Sequence, residues 1–259
     1  MSDIIKSFIV LIGSIIVVHL IYIGYIRPEA ELVLEAARQA GSSTPRELVI
    51  VLKDYEQEIC FILMIWGSFL ILSKCRIILR NNYLFTVDLI DETTNELAEE
   101  TEADHLLPEK IIDKLDSELS ADRSSAPLVQ TLRTALWRYA GTRNVQNLSD
   151  AIESSVEALS VRQDAENSMI RYLIWAIPSI GFIGTVRGIG EALSLADKAL
   201  AGDIAGMTNS LGVAFNSTLV ALLISIFLMF LFHQLQRLQD GLVVDIQAYC
   251  DKYLLARIK

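Results

Sequence analysis

The chain has 259 residues, 52% of them hydrophobic, and a mean hydropathy of +0.40, a balance that excludes an ordinary soluble domain and points to a membrane protein. Its formal charge is −10, but residues 88–122 alone carry 13 acidic residues against two lysines, so the remainder is close to neutral. No basic stripe exists for a nucleic-acid backbone, and Cys60, Cys75 and Cys250 stand at no metal-ligand or redox spacing, which excludes a zinc ribbon or a disulfide scaffold.

From Ile4 to Ile26 the only formal charge is Lys6, which leaves enough apolar chain for a hydrocarbon layer of about 30 Å. Tyr22, Tyr25 and Arg27-Pro28 read as an interfacial belt and a stop rather than a cleavage site, so the segment is expected to be retained. A second run, Ile59 to Ser73, is short but gains length from snorkelling Lys74, Arg76 and Arg80 and resumes at Ile77 to Leu79. These two spans, about 4–26 and 57–79, enclose an external loop at 27–56. The loop is expected to be a small hairpin, with helical patterns at Glu29–Gln39 and Arg46–Glu58 around a Gly41-Ser-Ser-Thr-Pro45 break.

Residues 81–168 read as an acidic helical domain without strand alternation. Leu106-Leu107-Pro108 opens a helix with Ile111, Ile112, Leu115 and Leu119 on one face. Ser124-Ser125-Ala126-Pro127 opens another with Leu128, Leu132, Leu136 and Tyr139, and a third follows Gly141 with Val145, Leu148, Ile152, Val156 and Leu159. The acidic block itself reads as a solvated face. A third span runs from Tyr172 to Val186, is interrupted by Arg187 and continues through Gly190. The fourth lies in the charge-free stretch between Asp203 and Arg237, and a C-terminal helix follows at 237–259. The fold class expected is an all-α integral membrane protein of four transmembrane helices with a helical cytoplasmic domain, the long third and fourth helices (169–236) extending into the cytoplasm. Four crossings place both termini on one side. Lys74, Arg76, Arg80, Arg162 and Arg171 at the ends of the 74–171 segment assign that side to the cytoplasm.

At about 100° per residue, Pro178, Gly181, Thr185, Gly188 and Ala192 share one face of the third span, and Gly184 and Gly188 form a GxxxG pair. In the fourth, Ser210, Ala214, Ser217, Thr218, Ala221 and Ser225 fall on one arc, while bulky Leu211, Phe215, Leu219, Leu222 and Ile226 occupy another side. Two facing strips of small and hydroxyl residues suit a narrow polar pathway or a close helix contact. The stretch Gly181-Phe-Ile-Gly184-Thr185-Val-Arg187-Gly188-Ile resembles the Gly-Leu-Phe-Gly-Thr-Val-x-Gly-Ile signature of TolQ and ExbB. Ala214-Phe-Asn-Ser217-Thr218-Leu-Val-Ala-Leu222 resembles their final-helix pattern, with Ala221 in place of glycine, and Pro178-Ser-Ile-Gly181 resembles the Pro-Ala-Leu-Gly of MotA.

The resemblance to the MotA, TolQ and ExbB family implies a homo-pentamer in the bacterial inner membrane around two copies of a MotB/TolR/ExbD-like single-span protein. Ion flow, with protons as cargo and sodium as the alternative, would then be converted into rotation. It implies that Thr185 and Thr218 face the pore, with Ser217 and Ser225 in the same ion pathway. Pro178, Gly181, Gly184, Gly188, Ala214 and Ala221 would serve packing and pore lining. No acidic residue stands in the middle of a span, so the titratable carboxylate is expected from the partner. The four spans match MotA rather than TolQ or ExbB, yet MotA's glycine-rich first helix has no counterpart here.

Arg187 and Glu191 are spaced for an i,i+4 pair, read as an outer interfacial salt bridge or an ion-admitting pair. His19, mid-span in the first run, is expected to be a neutral histidine bonded at a helix contact, and Asn216, off the hydroxyl arc, to join neighbouring subunits. A non-conducting scaffold or sensor of the same fold remains the alternative. No nucleophile, base or metal cluster converges to suggest an enzyme or a cofactor.

Overall fold

The computed structural model describes residues 2–39, 47–90, 108–118 and 124–257, and among these only helices and their connections occur. In chain order they are α1 (Ser2–Ile21), a π turn (Tyr22–Ile26), α2 (Arg27–Gln39), α3 (Leu48–Leu52), α4 (Tyr55–Asn81) and a 3-10 turn (Asn82–Phe85). After these come α5 (Pro108–Glu118), α6 (Pro127–Thr142), α7 (Val145–Glu166), α8 (Ser168–Ser194), α9 (Ala196–Leu200) and α10 (Ala205–Tyr249). Four stretches are long and apolar enough to cross a membrane: Ile5–Ala37, Tyr55–Phe85, Val145–Ser194 and Ala205–Leu254. The chain divides into two compact units, residues 1–73 with 168–233 and residues 74–167 with 234–259.

In the first unit, the initial helix does not stop at Arg27-Pro28. The Arg27 N–H reaches back to the Tyr22 carbonyl, a widened π turn, and Pro28 falls at this change of register, where its missing N–H removes no regular bond and α2 continues to Gln39. The expected second helix of the loop is interrupted as well: α3 ends at Leu52, and Lys53-Asp54 separate it from α4, which starts with Tyr55. The expected Gly41–Pro45 break lies outside the described residues.

Helix α1 exposes Ile5, Phe8, Ile9, Ile12, Ile16 and Leu20, as a lipid-facing helix must, and buries only Ser14 and Val18 among its described side chains. Two polar contacts fasten it to α4: Trp66 Nε1 donates to Ser7 Oγ at 3.0 Å, and His19 Nδ1 lies 2.6 Å from Glu58 Oε1. Gly67 brings α4 against Leu173 of α8 and Leu228 of α10, and the Cys60 thiol donates to the Ile177 carbonyl at 3.8 Å.

The second unit is a helical core in which Ile111 and Leu115 of α5, Leu128, Leu132 and Leu136 of α6 and Leu148, Ile152 and Val156 of α7 meet Leu242, Ile246 and Tyr249 of α10. The apolar faces expected for these helices are the buried ones. Leu106, Leu107, Leu119 and most of the acidic block lie outside the described residues. Pro127 opens α6 from an extended Ala126, as a first-turn proline should. Helix α6 runs through Gly141 to Thr142, Arg143 then turns with φ of 50°, and Asn144 caps α7 by accepting from Gln146 N at 2.8 Å. Tyr249 hydroxyl donates to the Val87 carbonyl and accepts from the Leu89 amide, tying the end of α10 to the chain after the 3-10 turn.

Candidate functional site

The small-residue strips of α8 and α10 face each other. Gly181, Gly184 and Gly188 are buried on α8 opposite Ala221, Ser217 and Ala214 of α10. A Cβ on Gly181 would collide with that of Ala221. One on Gly184 would stand 2.5 Å from Ser217 Cβ, and one on Gly188 2.6 Å from the Ala214 amide nitrogen. These three positions are glycine because two backbones meet there, the geometry a GxxxG pair permits. Ala192 is buried on the same face, and Ala214 and Ala221 are 0% exposed.

Within this seam the two threonines meet. Thr185 and Thr218 bond hydroxyl to hydroxyl, Thr185 Oγ1 also reaches the Ala214 carbonyl at 3.0 Å, and Thr218 Oγ1 reaches the Gly181 carbonyl at 3.2 Å. The bond from Thr185 back to its own helix, at the Gly181 carbonyl, is longer at 3.3 Å. Both threonines are half-buried, so the pair keeps an edge at the surface of the unit.

Ser217 and Ser225 are placed differently from the threonines. Both are buried, and Ser217 donates to its own helix at Val213. Ser225 donates at 3.0 Å to the carbonyl of Ile174. That carbonyl lies four residues before Pro178, whose ring nitrogen has no hydrogen to offer it. Ser225 therefore supplies across the seam the donor that Pro178 removes, which lets a proline sit inside α8 without an orphaned buried carbonyl. Asn216 stands off the seam and lines a groove of about 700 Å3 with Ile50, Val51, Lys53 and Phe215.

Arg187 makes the expected contact with Glu191 at 3.2 Å, but its main partner is Glu56 of α4, held by two parallel bonds of 2.8 and 2.9 Å, with Asp54 at 3.9 Å. Glu56 reaches Arg187 over Gly184: a Cβ there would stand 3.0 Å from Glu56 Cγ, so this glycine admits α4 on one side and α10 on the other. Next to it, Glu58 is buried between His19 and Arg27, each bonded to one of its oxygens. Composition and periodicity single out neither glutamate. The usable signal was their position just before the apolar run Ile59 to Ser73, together with Arg27, a cation to which the sequence assigns no partner. Among the described residues no group of three or more His, Cys, Asp or Glu is arranged to hold a metal ion.

A scan against protein-family models matches residues 123–248, which include all of α6 to α9 and nearly all of α10, to the MotA/TolQ/ExbB proton channel family. This segment belongs to that family. It contains every motif residue from Pro178 to Ser225, whereas α1 to α5 and the glutamates of α4 fall outside the matched range. No curated protein and no solved structure shows significant similarity to the chain. Four helices long and apolar enough to cross a membrane, together with a segment that matches the MotA/TolQ/ExbB family model, point to a multi-pass membrane protein.

Proposed function

We propose that the chain is the ring and channel subunit of an ion-driven inner-membrane motor. Five copies surround a dimer of an aspartate-bearing single-span partner of the MotB, TolR or ExbD kind, and proton flow past the partner's carboxylate drives rotation. In this reading residues 81–168 and 237–259 are cytoplasmic with both termini, residues 27–56 are external, and α8 and α10 line the pathway and extend into the cytoplasm. The observation that carries it is the Thr185–Thr218 hydroxyl pair, half-buried on the seam of the two helices in the family-matched segment. Hydroxyls both donate and accept, so they can pass a proton or coordinate a transient ion without the tight hold of a fixed charge.

The pairing of the chain's own carboxylates supports a borrowed carrier. Glu56 is occupied by Arg187 and Glu58 by Arg27 and His19, both at the polar edge of α4, leaving the α8–α10 seam without an acid. A conducting site in a low-dielectric layer requires a group that can be charged and neutralised in turn, which a partner's aspartate supplies.

The test is proton uptake by vesicles carrying the chain together with the single-span product of a neighbouring gene. Thr185→Val and Thr218→Val are expected to abolish uptake while the assembly elutes unchanged. Normal uptake in both variants would refute conduction at this pair. A wild-type assembly that forms but carries no ion would support the non-conducting scaffold instead, and comparing sodium-free with sodium-containing buffer identifies the cargo.

A further inference from the structure

One titratable unit of the protein takes no part in this pathway. Glu58 is 5% exposed, and both its oxygens are bonded, one to Arg27 and the other to His19 Nδ1 at 2.6 Å. Its histidine partner is the reverse: the His19 side chain is 51% exposed, on the outer face of α1. With Nδ1 turned to the carboxylate, the imidazole's other nitrogen, Nε2, is left to that exposed side. Sequence position alone puts His19 deep in an apolar run, but its partner stands directly before the apolar run of α4, so the imidazole is level with that helix's polar edge.

The surroundings carry room for one more positive charge. Arg27 balances Glu58. Beyond them, Lys53 pairs with Asp54 at 3.0 Å, and Arg187 holds Glu56 and Glu191 and approaches Asp54, three carboxylates against two cations. With His19 neutral, these ion-paired groups hold a surplus of one negative charge, which a single proton cancels. Tyr22, one turn after His19 on the same face, is 1% exposed with Arg27 over its ring at 5.8 Å, and its hydroxyl has no bonding partner. Tyr55, its ring 4.2 Å under Arg27, and Cys60, bonded to α8, are further titratable groups nearby among the described residues. An unsatisfied buried hydroxyl beside a carboxylate is a ready donor when that carboxylate's bonds rearrange.

We propose that His19 and Glu58 form a proton-binding dyad, separate from the threonine pair and filled from the outer surface of the unit. A proton adds to Nε2 of the neutral imidazole, giving an imidazolium whose Nδ1–H stays bonded to the Glu58 carboxylate. Only one N–H bond forms, and the net gain is one proton. Arg27 keeps the second oxygen of Glu58 in place throughout.

The inference does not depend on ion conduction, and the chain alone tests it. Full-length protein with nitrogen-15 histidine in lipid nanodiscs contains three histidines, and His19→Gln identifies the His19 signals in the magnetic-resonance spectrum. The expected neutral form carries its proton on Nδ1. In Glu58→Gln the proton affinity of His19 should fall at least about tenfold, because an opposite charge at hydrogen-bond range favours the protonated imidazole. Glu56→Gln should leave the His19 signals alone, and unchanged His233 signals report that the variants are folded. An Nε2-protonated imidazole in the wild type, or the same titration with and without Glu58, overturns the proposal. Should Glu58→Gln fail to insert, the wild-type tautomer decides by itself.

Discussion

Replacing Gly188 by alanine puts a single methyl group where α8 and α10 touch. The added Cβ would stand 2.6 Å from the Ala214 nitrogen, 2.7 Å from the Ser210 carbonyl oxygen and 2.9 Å from Ala214 Cα, against 3.4–4 Å for ordinary contact. All three are backbone atoms that cannot rotate away, so the helices must part by roughly 1 Å, at a cost of ~1–3 kcal/mol for an overpacked interior site. The same shift stretches the 3.0 Å bond from Thr185 to the Ala214 carbonyl beyond useful length, a further loss of about 1 kcal/mol. The sum, about 2–4 kcal/mol, corresponds to a loss of ~30- to 700-fold in the folding equilibrium. Gly190→Ala, two residues away, meets nothing within 4 Å and serves as the control, expected to be neutral or slightly stabilising because alanine is the better helix former. Reversible unfolding in bicelles by added SDS, followed through tryptophan fluorescence, measures both. Stabilities within about 0.5 kcal/mol of each other would refute the close seam on which the threonine pair depends.

Glu56→Gln and Arg187→Gln should each destabilise the chain, and the double variant should cost less than their sum, with a coupling of about 1 kcal/mol or more in the same unfolding assay. Arg187→Lys should fail to restore it, because an ammonium cannot supply the two parallel bonds; a coupling near zero would refute the pairing. Ser225→Ala should lower stability by about 1–3 kcal/mol by orphaning the Ile174 carbonyl, and Pro178→Ala added to it should restore most of that loss, since alanine returns the missing N–H. Equal losses in the single and the double variant would refute the compensation.

The helices that bury apolar faces in the cytoplasmic reading, α5 to α7, were legible because an opening proline with a periodic apolar face marks α5 and α6, and periodicity alone marks α7. So were the four long apolar helices. The helix through Arg27-Pro28 was not, because a π turn leaves no residue signature: any sequence can shift its bonding by one residue, and proline is as compatible with such a shift as with a stop. The seam was half legible. Arc counting groups Ser217, Thr218 and Ser225 together, yet it is blind to which carbonyl across the seam lacks a donor. Ser225 was therefore read with the threonines, although its hydroxyl answers Pro178. Glu56 and Glu58 were missed because charges just before an apolar run are the normal flanks of a span, and only the third dimension puts Arg187, Arg27 and His19 on them.

Depth in the membrane follows from contacts rather than from position in a hydropathy window. Measured along α1, His19 is surrounded by isoleucine, valine and leucine and looks isolated in hydrocarbon; measured across to α4, it lies beside the residue where that helix turns polar. Arg187 is a parallel case on α8, interrupting an apolar run at the point where Glu56 receives it. Two apparent violations of apolar continuity, on helices far apart in sequence, thus meet neighbouring glutamates of one turn of α4. An isolated charge in either helix would cost several kcal/mol in lipid, and a shared polar rim removes most of that cost by pairing each one. It follows that α4, although outside the family-matched segment, fixes α1 and α8 at a common level: it does so through Glu58 and Glu56, and Thr185, bonded to Thr218 of α10, sits within a turn of the latter's anchor on α8.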